Sequence, residues 1–384
     1  MPSPSAVEHV RKRTAKRPTK HSKTRLINEA VAAGNLEALR TLAASKGGFV
    51  NHSIRRKVWP LLLHSANKQR EMFSEGADEQ RDASQIALDV NRSLAHLLQP
   101  DTGETRLETL RKELSNLLLT VLSRHSYLHY YQGFHDVASV LLLVLKPTLA
   151  SACLEPLALF YLRDFMAPSL QSSMNQISLL FPLIALVSPA THECLSSIEG
   201  FLPYFCLSWV ITWYSHDIDD LSRIARLFDF LIASNPLMPV YLAAAVVLSQ
   251  NEQLVELEAE YSTVHHFLSK FPSDANLEML IKQAYNMYKL HPPEAVQKSA
   301  KLPLGRASVV NRFKVDFERL PLTQEYDDQL PQKLLNQHVR EVEKPGGHYH
   351  PDRWVLANAR HLAWISAFAA TSVIAWYAYQ TGYT

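Results

Sequence analysis

Two stretches decide how this chain is read: Ile86-Ala87-Leu88-Asp89-Val90-Asn91-Arg92 and Tyr130-Tyr131-Gln132-Gly133-Phe134-His135-Asp136. On a helix over 84–98, residues Ile86, Val90, Leu94, Leu97 and Leu98 share one apolar stripe. Arg92 then points away from that stripe. Asp89 lies one turn before it, where an i,i+3 contact aims the guanidinium. In the second stretch Gln132 sits in a loop that leads into the apolar run 136–145. Tyr130 and Tyr131 are expected to pack that loop. Gly133 is expected to permit a tight turn or a close backbone approach, and Asp136 to cap the helix that follows. Taken alone, each stretch reads more simply as ordinary structure: a solvated arginine in a helical ion pair, and a polar loop glutamine.

Outward from these stretches, residues 26–290 read as successive amphipathic helices. No strand alternation persists and no internal repeat is visible. The expected helices are 26–42, ending at Gly47-Gly48, then 54–63, 84–98, 107–124, 136–145, 153–165, 173–187, 191–200, 202–215, 219–233, 239–250, 261–269 and 274–289. Residues 68–84 are polar and read as a loop. With 47% apolar and 20% charged residues, the chain of 384 can bury a large core. Its 11 glycines are too few for a β-rich fold with many tight turns. The fold class expected is all-α.

The two ends differ from this body. Residues 1–25 carry Arg11, Lys12, Arg13, Lys16, Arg17, Lys20, Lys23 and Arg25, a like-charge block that reads as a solvated, disordered arm. Its best functional reading is contact with anionic lipid, where each Lys or Arg gains about 1 kcal/mol. Residues 26–292 form the expected helical domain. Residues 293–353 are rich in proline and charge and read as a flexible linker with one short helix near 310–320. Residues 354–384 read as a tail anchor. No charged residue follows Leu362, and a helix over 362–381 would reach about 30 Å, the thickness of the hydrocarbon layer. Trp354, Trp364, Trp376, Tyr377 and Tyr379 suit the interfaces. Arg353 and Arg360 precede the span with no Lys or Arg after it, which keeps the N-terminal bulk cytosolic. The plainer reading is a buried or surface-lying helix.

Several chemistries are set aside. The net charge of +2 gives no reason to expect nucleic-acid binding. Cys153, Cys194 and Cys206 show no paired spacing, which fits a reducing compartment. No apolar signal sequence opens the chain, so the body is not expected to be secreted. No G-x-x-x-x-G-K-[ST], G-x-G-x-x-G or G-x-S-x-G occurs. His125, His129 and His135 lack a helical H-E-x-x-H frame, and His348 and His350 lie in the linker, so no metal site is expected. His265-His266 reads as helix packing.

An arginine and a glutamine in a helical chain without a nucleotide loop match what GTP hydrolysis needs. The arginine neutralises charge on the transferring phosphoryl group and the glutamine orients the attacking water. In that context the chain resembles the TBC family of Rab GTPase-activating proteins. Arg55 and Trp59 resemble its R-x-x-x-W block. Ile86, Asp89 and Arg92 resemble its I-x-x-D-x-x-R block, and Tyr130, Gln132 and Gly133 its Y-x-Q-G block. Trp209 and Tyr214, followed by Arg226-Leu227-Phe228-Asp229, resemble its later tryptophan and R-[IL]-[WF]-D block. The resemblance covers residues 30–290. Ala87 departs from the usual proline, His135-Asp136 from methionine and asparagine, and Phe228 from tryptophan.

The resemblance implies a TBC-type helical domain that supplies Arg92 and Gln132 in trans to a GTP-bound Rab. Asp89, Tyr130, Gly133, Asp136, Arg55 and Trp59 would support them. Mg²⁺ and GTP would be carried by the Rab, with no cofactor of the chain's own. The His-Asp variant, Arg163-Asp164-Phe165-Met166 and the C-terminal span are similar to the endoplasmic-reticulum-anchored subgroup of early secretory traffic. That implies a tail-anchored protein of the endoplasmic reticulum or early Golgi, with its catalytic domain cytosolic and residues 362–381 in the bilayer. The competing expectations are a catalytically silent, membrane-anchored Rab-binding scaffold and a helical adaptor with no GTPase connection.

Overall fold

The computed structural model of the protein describes residues 20–66, 81–98 and 101–342. Residues 1–19 of the basic arm and the whole tail span 354–384 lie outside them. Lys20, Lys23 and Arg25, expected in a disordered arm, are helical, and Lys23 is buried and donates to the Ser45 and Lys46 carbonyls. Among the described residues there are nineteen α-helices and no strand. None of these helices is long and apolar enough to cross a membrane.

The chain opens with α1 (Lys20–Ala32) and α2 (Leu36–Ala44). These replace the single helix expected over 26–42. Gly34 breaks it with φ 60°, and Asn35 starts a new helix by accepting the Ala38 N–H at 2.9 Å. Next come α3 (His52–Leu62), α4 (Ala83–Arg92), α5 (Glu104–Arg124), α6 (Phe134–Leu145) and α7 (Pro147–Phe160). Short helices α8 (Gln171–Ile177), α9 (Leu180–Val187), α10 (Pro189–Ser196) and α11 (Leu207–Ile211) follow. The series continues with α12 (Leu221–Ile232), α13 (Met238–Ser249), α14 (Asn251–Leu254), α15 (Tyr261–Leu268) and α16 (Leu277–Leu290).

Helices α6 and α13 are apolar on nearly every face, as helices at the centre of a large core must be. Around α6 pack α3, α5, α7 and α12; α13 lies against α9, α11 and α16. The α3 and α12 helices are pinned by one buried carboxylate. Asp229 accepts from Arg55 Nε and Nη2, from Trp59 Nε1 and from the Phe49 N–H, each at 2.9 Å. Arg226 faces the other way, to Glu278 and to the carbonyls of Ala43 and Ser45 that end α2. The R-x-x-x-W and R-L-F-D blocks are therefore one structural joint.

Residues 293–342 correct the linker expectation. They form α17 (Pro293–Ala300), α18 (Val309–Phe313), a π-helical turn Lys314–Glu318 and α19 (Leu330–Val342). Phe317 is fully buried against Phe160, Tyr161, Phe313 and Tyr326. Each such aromatic gains about 1.5–3 kcal/mol from burial. The Arg163-Asp164 stretch holds this segment: Arg163 donates to the Ala307 carbonyl, and Asp164 accepts from Ser308 Oγ and the Val309 N–H. Prolines and charges here mark turns between short packed helices, and Val309, Phe313 and Phe317 keep the spacing of the short helix expected near 310–320.

Candidate functional site

Helix α4 stops at Arg92 and does not continue to Leu98 as its apolar stripe suggested. Ser93 Oγ donates to the Asp89 carbonyl at 2.6 Å, and Leu94 takes a left-handed backbone, φ 73°, with its side chain fully buried. Such a bulky residue at positive φ costs about 1–3 kcal/mol and persists only because its surroundings hold it. The consequence is that Arg92 ends the helix, where a cation also suits the exposed carbonyls. Its side chain is 65% exposed and its guanidinium donates to Asp89 Oδ1, the i,i+3 contact expected from the spacing.

Asp89 is fully buried. Besides Arg92 it accepts from Gln85 Nε2 at 3.2 Å and from the Tyr130 hydroxyl at 2.8 Å. Burial, with Asp89 beside it, pushes the Tyr130 phenol well above its ordinary pKa, so it remains a donor. The Tyr130 N–H donates to Asp82 Oδ2 at 3.1 Å, fixing the loop to the start of α4. Arg92 and the Y-x-Q-G loop are thus brought together through one carboxylate.

Gln132 is half-buried in the turn that precedes α6. The turn is tight: the Phe134 N–H donates to the Tyr131 carbonyl, and Tyr131 Oη donates to the Ile211 carbonyl at 2.8 Å. Gly133 has φ 112°, and a Cβ there would lie 2.7 Å from Thr212 Cγ2. Both the backbone angle and the close approach require glycine.

Asp136 does not cap α6. Gly133 occupies the cap position and no side-chain capping bond forms. The Asp136 carboxylate turns inward between two imidazoles, His135 Nε2 at 3.2 Å and His216 Nδ1 at 3.2 Å. Burial alone would raise its pKa; the two imidazoles outweigh burial and hold it below the usual carboxylate range. His135 Nδ1 lies 2.9 Å from the Tyr130 hydroxyl and 3.3 Å from the Gly133 nitrogen. One buried network therefore runs from Asp89 through Tyr130 and His135 to Asp136. His216, at its far end, was not anticipated. It lies 80 residues from Asp136 in no recognisable motif.

Arg55 and Trp59 sit in the Asp229 joint, where they hold α3 against α12 and contribute nothing to the Asp89 network by direct bond. Among the described residues no group of three or more His, Cys, Asp or Glu could hold a metal ion. His125 is engaged by Glu155 at 3.0 Å.

The sequence profile of the Rab-GTPase-TBC domain matches residues 52–255, a span that carries Arg92, the Gln132 turn and Asp229. The chain belongs to this family. TBC1 domain family member 20 of Homo sapiens is 36% identical over 315 residues, covering 81% of this chain and 76% of that protein. The GTPase-activating protein gyp10 of Schizosaccharomyces pombe is 36% identical over 262 residues, 67% of this chain and 69% of that protein. The crystal structure of the Ypt/Rab-GAP domain of Gyp1p matches with a TM-score of 0.54 at 15% identity, covering 69% of this chain and 99% of that one. At that identity the match speaks to the TBC fold, which the all-helical architecture shares.

Proposed function

We propose that this TBC domain stimulates GTP hydrolysis by a Rab of the early secretory pathway, with Arg92 and Gln132 acting in trans. The observation that carries the reading is the mounting of Arg92. It is an exposed guanidinium at a helix end, held on a buried carboxylate that also ties down the loop bearing Gln132. Docked on a GTP-bound Rab, Arg92 neutralises charge spread over the γ-phosphoryl oxygens, and the Gln132 amide holds the attacking water. An arginine so placed is worth roughly 10³–10⁵ in rate, about 4–7 kcal/mol of barrier. Mg²⁺ and the nucleotide belong to the Rab. Asp89, Tyr130 and Gly133 orient the two side chains, and Asp136 supports them through His135.

The test is single-turnover hydrolysis with Arg92→Lys. A lysine keeps the charge and loses the planar donor fork, so stimulation should fall nearly as far as with Arg92→Ala. Full stimulation by the lysine variant would contradict a bidentate role.

We further propose that residues 362–381 anchor the protein in the endoplasmic-reticulum or early Golgi membrane, with residues 1–19 of the basic arm against anionic lipid. The uncharged aromatic-flanked span and the early-secretory subgroup motifs support this placement. The anchor would concentrate the domain near Rabs of one membrane. Deleting 354–384 should release the protein into the soluble fraction of cells; a deletion variant that stays membrane-bound would refute the anchor.

A further inference from the structure

The buried network beneath Arg92 has two ends, and each end holds one outward-facing side chain. At the first, fully buried Asp89 holds Arg92, 65% exposed. At the second, Asp136, 5% exposed, holds His216, 62% exposed. The mounting is alike: a carboxylate inside the core fixes one edge of a cationic or protonatable group and leaves the rest facing solvent. Because His216 Nδ1 is engaged by Asp136, Nε2 is the atom left to act outward.

The backbone that delivers His216 is also held in an uncommon shape. Trp213 and Tyr214 are consecutive aromatic residues in the left-handed region, at φ 53° and φ 67°. Both are buried. Trp213 packs on Tyr161 and Phe228, and Tyr214 on Trp209 and Phe271, with its hydroxyl bonded to the Pro239 carbonyl. Strain of this kind is kept where the surroundings over-determine the loop and is typical of sites that place a functional group. Arg92 is followed by the same device at Leu94.

We propose that His216 is a second partner-facing donor of the site, giving a charged hydrogen bond to an anionic oxygen of the docked GTP-bound GTPase beside Arg92. The proposal rests on the GTPase-activating reading above. The groups that face His216 are Asp136 from α6, Asp217 on its own loop and Arg92 from α4. The Asp136 hydrogen bond dominates and lifts the imidazole pKa to about 9, so the ring is a cation at neutral pH even with Arg92 nearby. His216 would thus extend a positive rim from the end of α4 to the loop after α11. A GTPase presents anionic oxygens of two kinds there, nucleotide phosphates and surface carboxylates, and the same donor suits either.

The experiment compares wild type with His216→Asn and His216→Ala in single-turnover hydrolysis by a GTP-loaded Rab that the wild-type chain stimulates, at varied concentrations of activator. Asparagine keeps an N–H for Asp136 and removes the cation. Both variants should lose about 10- to 100-fold in kcat/KM, the worth of one charge-assisted hydrogen bond, with helix content unchanged and a lowered melting temperature, from the broken Asp136 pair, that still lies above the assay temperature. A loss confined to kcat identifies a phosphate oxygen as the acceptor; a loss confined to KM identifies a carboxylate of the GTPase surface. Wild-type rates in both variants would overturn the proposal while leaving Arg92 and Gln132 in place. A rate loss that disappears once rates are referred to the folded fraction would also overturn it, assigning His216 to the fold. If the wild-type chain stimulates no Rab, the underlying reading fails and this proposal with it.

Discussion

Replacing Tyr130 by phenylalanine removes one oxygen atom from the middle of the network and should separate orientation from chemistry. The lost hydroxyl donates to buried Asp89 at 2.8 Å and lies 2.9 Å from His135 Nδ1. The ring remains, so no large cavity forms. A buried hydrogen bond to a carboxylate is worth about 1.5–3 kcal/mol, and Asp89 keeps Gln85 and Arg92 as partners. We therefore expect a stability loss of about 2 kcal/mol, a melting shift of roughly 3 °C for a domain of this size. Asp89 then holds Arg92 less firmly, and a tenfold loss of stimulated rate, about 1.4 kcal/mol of barrier, is expected. Arg92→Ala should show the opposite pattern. The Arg92 guanidinium is 65% exposed and Asp89 keeps the Gln85 and Tyr130 donors, so stability should change by only about 1 kcal/mol, while stimulation falls by roughly 10³ or more. The assays are thermal denaturation and single-turnover hydrolysis on the two variants and their combination. In the double variant the Tyr130 change should cost no further rate, because the side chain it orients is gone. An additional tenfold loss there, or an unchanged melting temperature in Tyr130→Phe, would refute the coupling of Tyr130 to Arg92 through Asp89.

Gly133→Ala should destabilise by about 2–4 kcal/mol, from a left-handed backbone and a new methyl pressed on Thr212; chemical denaturation measures it, and a neutral effect would mean the turn relaxes freely. Asp229→Asn should cost about 3–5 kcal/mol because it breaks a buried pair with Arg55 and the bonds to Trp59 and Phe49. That loss should appear in the unfolding midpoint and leave the stimulated rate of the folded fraction intact. The His216 imidazole has its folded pKa raised from 6.5 to about 9. Its contribution to stability is therefore complete below pH 6.5 and lost as pH rises through about 9. Measured as the difference between wild type and His216→Asn, which cancels other titrations, the stability gap should shrink over that window; a gap independent of pH would contradict the Asp136–His216 pairing.

Much of this architecture was legible in the chain because long amphipathic segments carry their period openly. Helices α5, α6, α12, α13 and α16 fall where their apolar residues place them. The Asp89–Arg92 contact follows from spacing alone, and the tight turn and close approach at 133 from the glycine itself. What was hidden depends on tertiary context. Gly34 splits α1 from α2 because Asn35 offers a new cap, a choice that periodicity cannot reveal. Leu94 belongs to the apolar stripe and yet ends α4, since it reaches the core through a left-handed turn and not a helical one. Over 293–342 only the short helix near 310–320 is read from the chain; α17 and α19 lie among prolines and charges that read as linker. Asp136 had the position of a helix cap, but two imidazoles within 3.2 Å offered a buried carboxylate more than a backbone N–H could. One of those imidazoles comes from a loop distant in sequence, so no local pattern could have named it. The supporting roles expected of Arg55 and Trp59 resolve into a structural joint at Asp229.

In the proposed mechanism Arg92 and Gln132 complete the active site of another protein. This is tested most directly by single-turnover GTP hydrolysis across a panel of Rabs, with the wild-type chain, Arg92→Ala and Gln132→Ala. Strong stimulation of one or a few Rabs by the wild type is expected, and its loss in both variants, each folded. Stimulation that survives either substitution, or a folded wild-type protein that accelerates no Rab, would contradict the mechanism and favour a silent Rab-binding scaffold.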